Sequence, residues 1–287
     1  MPKKRPAEPR QDNMVKWYRL IGFLVAVVAS PTLQAELLLN QPIKIAVIID
    51  DLGNQKQAGE RALELPGPVT YAFLPQTPFT WQLATMASEQ NKEVMLHLPM
   101  ESDLGNRLGE GALTLGMPKP HFLETLKRNI ASVPYLMGVN NHMGSLLTRD
   151  PTAMRWLMSE LRRQGLYFVD SRTTEATVAQ RVARSNMIAN ARRDVFLDNV
   201  PDEKLIRKQF QKLVDLARER GSAIGIGHPY AATISVLREA LPKLKQQGIE
   251  LVPVSELLSH RRLEWHVSSS PSLKDVKSSK PSPSPIF

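Results

Sequence analysis

A chain of 287 residues, 42% of them apolar, can bury one large core without covalent staples. It has no cysteine, which excludes disulfides, thiolate metal sites and cysteine nucleophiles; any metal must rest on histidines and carboxylates. The net charge of +9 sits mainly at the ends: residues 1–19 carry +4 and 260–287 carry +3, leaving +2 on 20–259, which argues against a nucleic-acid-binding face.

The first element reads as an export segment. Lys16 and Arg19 precede the apolar stretch Leu20–Ala29, and Ser30-Pro31-Thr32-Leu33-Gln34-Ala35 offers a cleavage point after Ala35. Residues 1–35 are therefore expected to send the protein to the periplasm or outside the cell. Met14 is a second candidate start, since residues 1–13 are hydrophilic. The apolar stretch is short against the roughly 20 residues of a bilayer span. If the signal is cleaved no span remains; the alternative is an uncleaved N-terminal anchor.

From 36 to 262 the pattern is that of one domain. Strands are expected at Ile45–Ile49, Val69–Leu74, Glu93–Leu98, Gly138–His142, Tyr167–Asp170, Asp194–Leu197, Ser222–Gly227 and Leu251–Pro253, all short and rich in Ile, Val and Leu. Helices alternate with them. Asp150-Pro151 caps and opens one that turns Met154, Leu157 and Leu161 inward and stops at Gly165. Another runs from Asn199 to Arg220, with Ile206, Phe210, Leu213 and Ala217 on one face, Asp202 and Glu203 in its first turn, and Gly221 ending it. Such alternation implies an α/β fold of parallel strands, and seven or eight units in one run favour a closed or nearly closed (β/α) barrel. No G-x-G-x-x-G turn follows the first strand, which counts against a dinucleotide site. Beyond Arg262, residues 263–287 form a Ser/Pro/Lys tail too poor in apolar groups to order.

Chemistry-bearing residues fall at the strand ends, where barrels carry their reactive groups. Asp50 and Asp51 end the first strand; held together they repel, and a cation relieves the repulsion. His97, His142 and His228 fall at the ends of three further strands. One carboxylate with two imidazoles and an open position suits Zn²⁺, with Co²⁺, Ni²⁺ or Mn²⁺ as substitutes. His121, His260 and His266 lie in a helix start and a polar tail, where solvation is expected. Asp170, Arg172 and the pair Asp198-Asn199 follow other strands as supporting groups; Arg172 can bind substrate, orient a carboxylate or form a structural ion pair. Glu101 can be an extra ligand or a partner of His97. Trp81 and Tyr230 can stack on a sugar face, but core packing is the reading favoured for both.

Five segments together resemble the divergent polysaccharide deacetylases: Ile48-Ile49-Asp50-Asp51-Leu52-Gly53, His97-Leu98-Pro99-Met100-Glu101, Asn140-Asn141-His142-Met143-Gly144-Ser145, Asp170-Ser171-Arg172-Thr173 and Gly227-His228-Pro229. The resemblance covers about residues 43–258. It implies a NodB-like deformed (β/α) barrel and metal-dependent hydrolysis of N- or O-acetyl groups on sugars. It further implies Asp50 as general base, Asp51 as metal ligand and His228 as general acid. Members of the wider superfamily carry an H-x-x-x-H segment after the third strand; here Glu101 stands where its second histidine would fall. His97 and His142 are therefore assigned as the metal imidazoles, with Asn141 among the supporting groups. The expected substrate is a polysaccharide or oligosaccharide of the cell envelope or an exopolysaccharide. A catalytically silent carbohydrate-binding or envelope-assembly protein with the same barrel is the alternative, supported by the altered histidine segment. A metal phosphoesterase is weaker, for want of a basic cluster.

Overall fold

The computed structural model describes residues 42–105 and 107–259. The expected export segment, the 263–287 tail, His260 and His266 lie outside the described residues. Within them, strands and helices alternate: β1 (Ile43–Leu52), α1 (Lys56–Leu63), β2 (Thr70–Phe73), α2 (Thr80–Glu89), β3 (Glu93–Met100), α3 (Lys119–Ser132) and β4 (Leu136–Met143) come first. They are followed by α4 (Pro151–Gln164), β5 (Tyr167–Asp170), α5 (Ala179–Ser185), β6 (Asn190–Arg192), β7 (Val195–Phe196), α6 (Glu203–Arg220), β8 (Ser222–Gly227), α7 (Ala231–Ala240) and β9 (Ile249–Leu251). All named strands pair in parallel in one sheet of order β6-β5-β4-β3-β2-β1-β8-β7, with β9 beside the start of β1.

The sheet curls into a barrel, as the alternation predicts, and one segment spans its seam. β6 pairs with β5 and β7 with β8, yet only Arg193 and Asp194 separate them. Arg193 N donates to Asp170 O and Asp194 N to Ile224 O, each at 2.9 Å, so the crossing residues bond to both flanks. β6 was not expected from the sequence: in Asn190-Ala191-Arg192 only Ala191 is buried, too little apolar signal to read as a strand. The last strand is Ile249–Leu251 rather than Leu251–Pro253; it pairs with Ile43–Ile45 of β1, and Val252 N adds a last bond to Ile45 O at 2.9 Å.

Two cores follow from strand alternation. Ile45, Val47, Ile49, Leu96, Val139 and Phe168 face outward under the helices. Ala46, Ile48, Ala72, Met95, Val169, Ala191, Ile224 and Ile226 fill the interior. Tyr167 occupies the interior space that Gly138 vacates: a Cβ there would stand 2.1 Å from the ring. A short helix over 254–259 plugs the floor with Val254, Leu257 and Leu258. Its start is held by Glu93, whose carboxylate also accepts from Tyr167 OH at 2.8 Å and Thr70 Oγ1 at 3.0 Å.

The helix boundaries have local causes. Asp150 accepts from Thr152 N and Ala153 N at 2.8 and 2.6 Å, and Gly165 at φ 72° ends α4, as expected. α6 starts at Glu203, later than the expected Asn199, because the Asp202 carboxylate caps Leu205 N at 2.9 Å. Among the described residues no helix is long and apolar enough to cross a membrane.

Candidate metal centre and catalytic cleft

The barrel mouth is built by continuing the inward alternation past the apolar interior. Asp50 follows Ala46 and Ile48, His97 follows Met95, and His228 follows Ile224 and Ile226. Asn140 and His142 flank the outward pattern set by Val139. Asp51 should point outward by this count. It does not, because β1 bulges there: Ile49 pairs with Tyr71 but Leu52 with Phe73, and Asp51 adopts φ 60°. Leu52 consequently packs with the outer core, and both aspartates face the mouth. A left-handed, non-glycine residue costs about 1–3 kcal/mol and persists where its surroundings hold it.

Three donor atoms converge at this bulge. Asp51 Oδ1 lies 3.1 Å from His97 Nε2 and 2.9 Å from His142 Nδ1, and the two nitrogens are 3.1 Å apart. No hydrogen bond reaches Asp51 Oδ1, although the atom is buried. A buried carboxylate oxygen without a hydrogen-bond partner, facing two imidazole nitrogens, fits a divalent cation, and among the described residues this trio forms the cluster able to hold one. Burial opposes ionisation of Asp51, but the His142 and His97 imidazoles outweigh it and hold the carboxyl far below its usual range. Burial likewise disfavours a charged His97, but the Asp50 and Asp51 carboxylates prevail and raise its pKa to about 9. The pocket thus demands positive charge.

Around the trio the other groups are oriented from behind. Asn140, fully buried, joins His97 Nδ1 through Oδ1 and Asp50 Oδ1 through Nδ2, both at 2.8 Å. Burial pushes the Asp50 carboxyl above its ordinary value, against the pull of His97, His228 and the Asn140 bond. His228 contacts Asp198 Oδ1 through Nδ1 at 3.0 Å, leaving Nε2 toward the mouth, 3.7 Å from Asp51 Oδ2. The second Asp198 oxygen accepts from His228 N and Thr233 Oγ1, both at 2.6 Å. Desolvation depresses the His228 pKa, but Asp198 and the mouth carboxylates more than offset it, so the net shift is upward. The His228 ring lies between Phe196 and Tyr230, with centroids 5.3 and 5.5 Å away.

The structure sorts the remaining candidates. Glu101 is not with His97; its carboxylate accepts from Leu115 N at 2.7 Å and ties down the loop after β3. Asn141 faces away from the trio, bonding Met143 O and Ser171 N. Asp170 shapes its own turn by accepting from Arg172 N and Thr177 Oγ1, each at 2.9 Å. Arg172, at φ 49°, offers its carbonyl to the Arg193 guanidinium, which also bonds Ser171 O and lies over Phe196. His121 is exposed, as expected. Trp81 and Tyr230 are not core residues: they are 64% and 45% exposed, since each opens a helix at the mouth side rather than packing beneath it. Asn140, Arg193 and Phe196 were missed. Inward alternation from Val139 would have selected Asn140 over Asn141; nothing in the polar run around Arg193 marks a strand seam.

A cleft of about 530 Å³ opens beside Asp51, His142 and His228, walled by Leu52, Gln76 and Tyr230 among others. Its size suits a bound organic ligand. A parallel, curled barrel with such a mouth defines the NodB-like class of folds. This chain belongs to the divergent polysaccharide deacetylase family, whose model matches residues 47–258. It is 36% identical over 233 residues to the uncharacterized protein YibQ of Escherichia coli K12, spanning 80% of this chain and 73% of that one. An uncharacterized protein of Haemophilus influenzae is 32% identical over 220 residues, 77% of this chain and 78% of its own. The crystal structure of the uncharacterized protein ATU2773 from Agrobacterium tumefaciens C58 shares the fold, with a TM-score of 0.73 at 24% identity, covering 76% of this chain and 89% of that one.

Proposed function

We propose that this protein is an exported, metal-dependent hydrolase that removes acetyl groups from a polysaccharide or amino-sugar substrate of the cell envelope or an exopolysaccharide. The observation that carries the reading is the convergence of Asp51 Oδ1, His97 Nε2 and His142 Nδ1 beside the Asn140-held carboxylate of Asp50 and a carboxylate-backed histidine. Those three residues would hold the ion, most simply Zn²⁺, with Co²⁺, Ni²⁺ or Mn²⁺ as substitutes. A bound ion would polarise the acetyl carbonyl and acidify a water.

The remaining steps belong to the chain. Asp50, its pKa raised by burial, is the base that takes the proton of the attacking water; Oδ1 is engaged by Asn140, so Oδ2 is the working atom. His228 presents Nε2 to the same space and returns a proton to the departing amine or alkoxide, while Asp198 holds its Nδ1 side. Tyr230, half-exposed in the cleft wall, offers a ring face to a sugar.

Asp51→Ala and His142→Ala should each weaken binding of Zn²⁺ by roughly 10–100-fold or more, since neither ligand is replaceable by water without loss. Calorimetric titration checks this, and unchanged affinity in both variants rules out the assigned ligands. The export half of the proposal is tested by N-terminal sequencing of the protein recovered from cells. A mature chain beginning after Ala35 is expected; an intact chain in the cytoplasm contradicts it.

A further inference from the structure

We infer that Asn140 is a positioning residue that couples the metal cradle to the base: one amide fixes which nitrogen of His97 faces the ion and which oxygen of Asp50 faces the water. This rests on the metal-dependent reading above and extends it to a residue outside the reacting groups.

The amide can satisfy both neighbours in only one orientation. An ionised carboxylate only accepts, so the Asn140 Nδ2 must face Asp50, as it does at 2.8 Å. Its Oδ1 is thereby committed to His97, also at 2.8 Å, and an amide oxygen there requires a proton on His97 Nδ1. The lone pair available for a metal is then on Nε2, the nitrogen that stands 3.1 Å from both Asp51 Oδ1 and His142 Nδ1. Imidazole ligands are set by a partner on their other nitrogen, commonly a carboxylate or a backbone carbonyl. Here that partner is a side-chain amide whose other end grips the base. Asn140 is fully buried and lies on β4, whose register sets Asn140 opposite His97, so the bridge is built into the strand pairing rather than a loop. A carboxylate in place of Asn140 would serve His97 but not Asp50. An aliphatic residue would serve neither.

Two variants and one spectrum decide it. In ¹⁵N-histidine-labelled wild type, the His97 Nδ1 proton should appear as a slowly exchanging resonance, with or without Zn²⁺. Asn140→Leu should lose that resonance, bind Zn²⁺ roughly 10–100-fold more weakly, and lose acetate release as well. Asn140→Asp should keep the resonance and bind Zn²⁺ no more weakly than wild type. It should nonetheless lose acetate release by about 10²-fold or more, with KM little changed, because Asp50 has lost its donor. Equal effects of Leu and Asp on both Zn²⁺ affinity and turnover, or a wild type without the resonance, would overturn the inference and leave Asn140 as a space-filling core residue. A wild type that shows the resonance but binds no Zn²⁺ sinks the metal-dependent function instead, while Asn140 still sets the His97 tautomer.

Discussion

Asp50 and Asp51 are neighbours in sequence, yet their side chains share one mouth because a bulge and a left-handed φ interrupt the strand between them. The doublet was legible as a strand end; the bulge was not, since it depends on how β1 pairs with β2. His228 was legible because it closes the apolar run of β8, and His97 and His142 because they fall near the expected ends of their strands. β4 does end just past His142, at Met143, but β3 continues beyond His97 to Met100. Asn140 was hidden by its twin Asn141, though the inward count from Val139 separates them. The residue that sets the chemistry of the acid is Asp198. Its carboxylate helps raise the His228 pKa, so the imidazolium survives to higher pH than an unassisted histidine. A general acid works only while protonated. Asp198→Asn should therefore lower that pKa and move the alkaline limb of the kcat profile to lower pH, leaving the acid limb in place. A limb that stays put, measured across the profile with Zn²⁺ saturating, contradicts the assignment of His228 as acid.

At the scale of elements, strand–helix alternation was readable because buried parallel strands are continuous apolar runs, and the helices carry their own punctuation. α4 shows how local that punctuation is. Asp150 accepts two backbone N–H groups and Gly165 terminates the helix in a conformation few other residues adopt without strain. Asp150→Ala should cost about 1 kcal/mol, seen as a lower urea midpoint with an unchanged slope. Zn²⁺ affinity and turnover should not move, because α4 contributes no group to the mouth. β6 escaped the sequence for the opposite reason: it is three residues long, and its pairing is dictated by β5 beside it, not by its own composition. β7 was legible in the expected strand Asp194–Leu197, of which Val195 and Phe196 pair with β8.

Across the whole molecule, the parallel strands deliver their C-terminal ends to one rim, while the opposite end is sealed by the 254–259 helix over Glu93. The floor and the mouth do separate work. Ending the chain after Val252 removes Val254, Leu257 and Leu258 from the interior, and burial of such side chains is worth about 1.5–3 kcal/mol each. That truncation should lower the melting temperature severely, whereas ending it after Arg262 should leave it unchanged; circular dichroism melts distinguish the two. The central claim concerns the mouth, and acetate release from an acetylated chito-oligosaccharide tests it most directly. Zn²⁺-loaded wild type should release acetate, lose that activity on chelation and regain it on adding Zn²⁺ back. Asp50→Asn should keep its Zn²⁺ and its melting temperature but release acetate about 10²–10⁴-fold more slowly. Release that persists equally in the chelated protein and in Asp50→Asn, or none at all from a Zn²⁺-loaded wild type, would contradict a metal-dependent deacetylase.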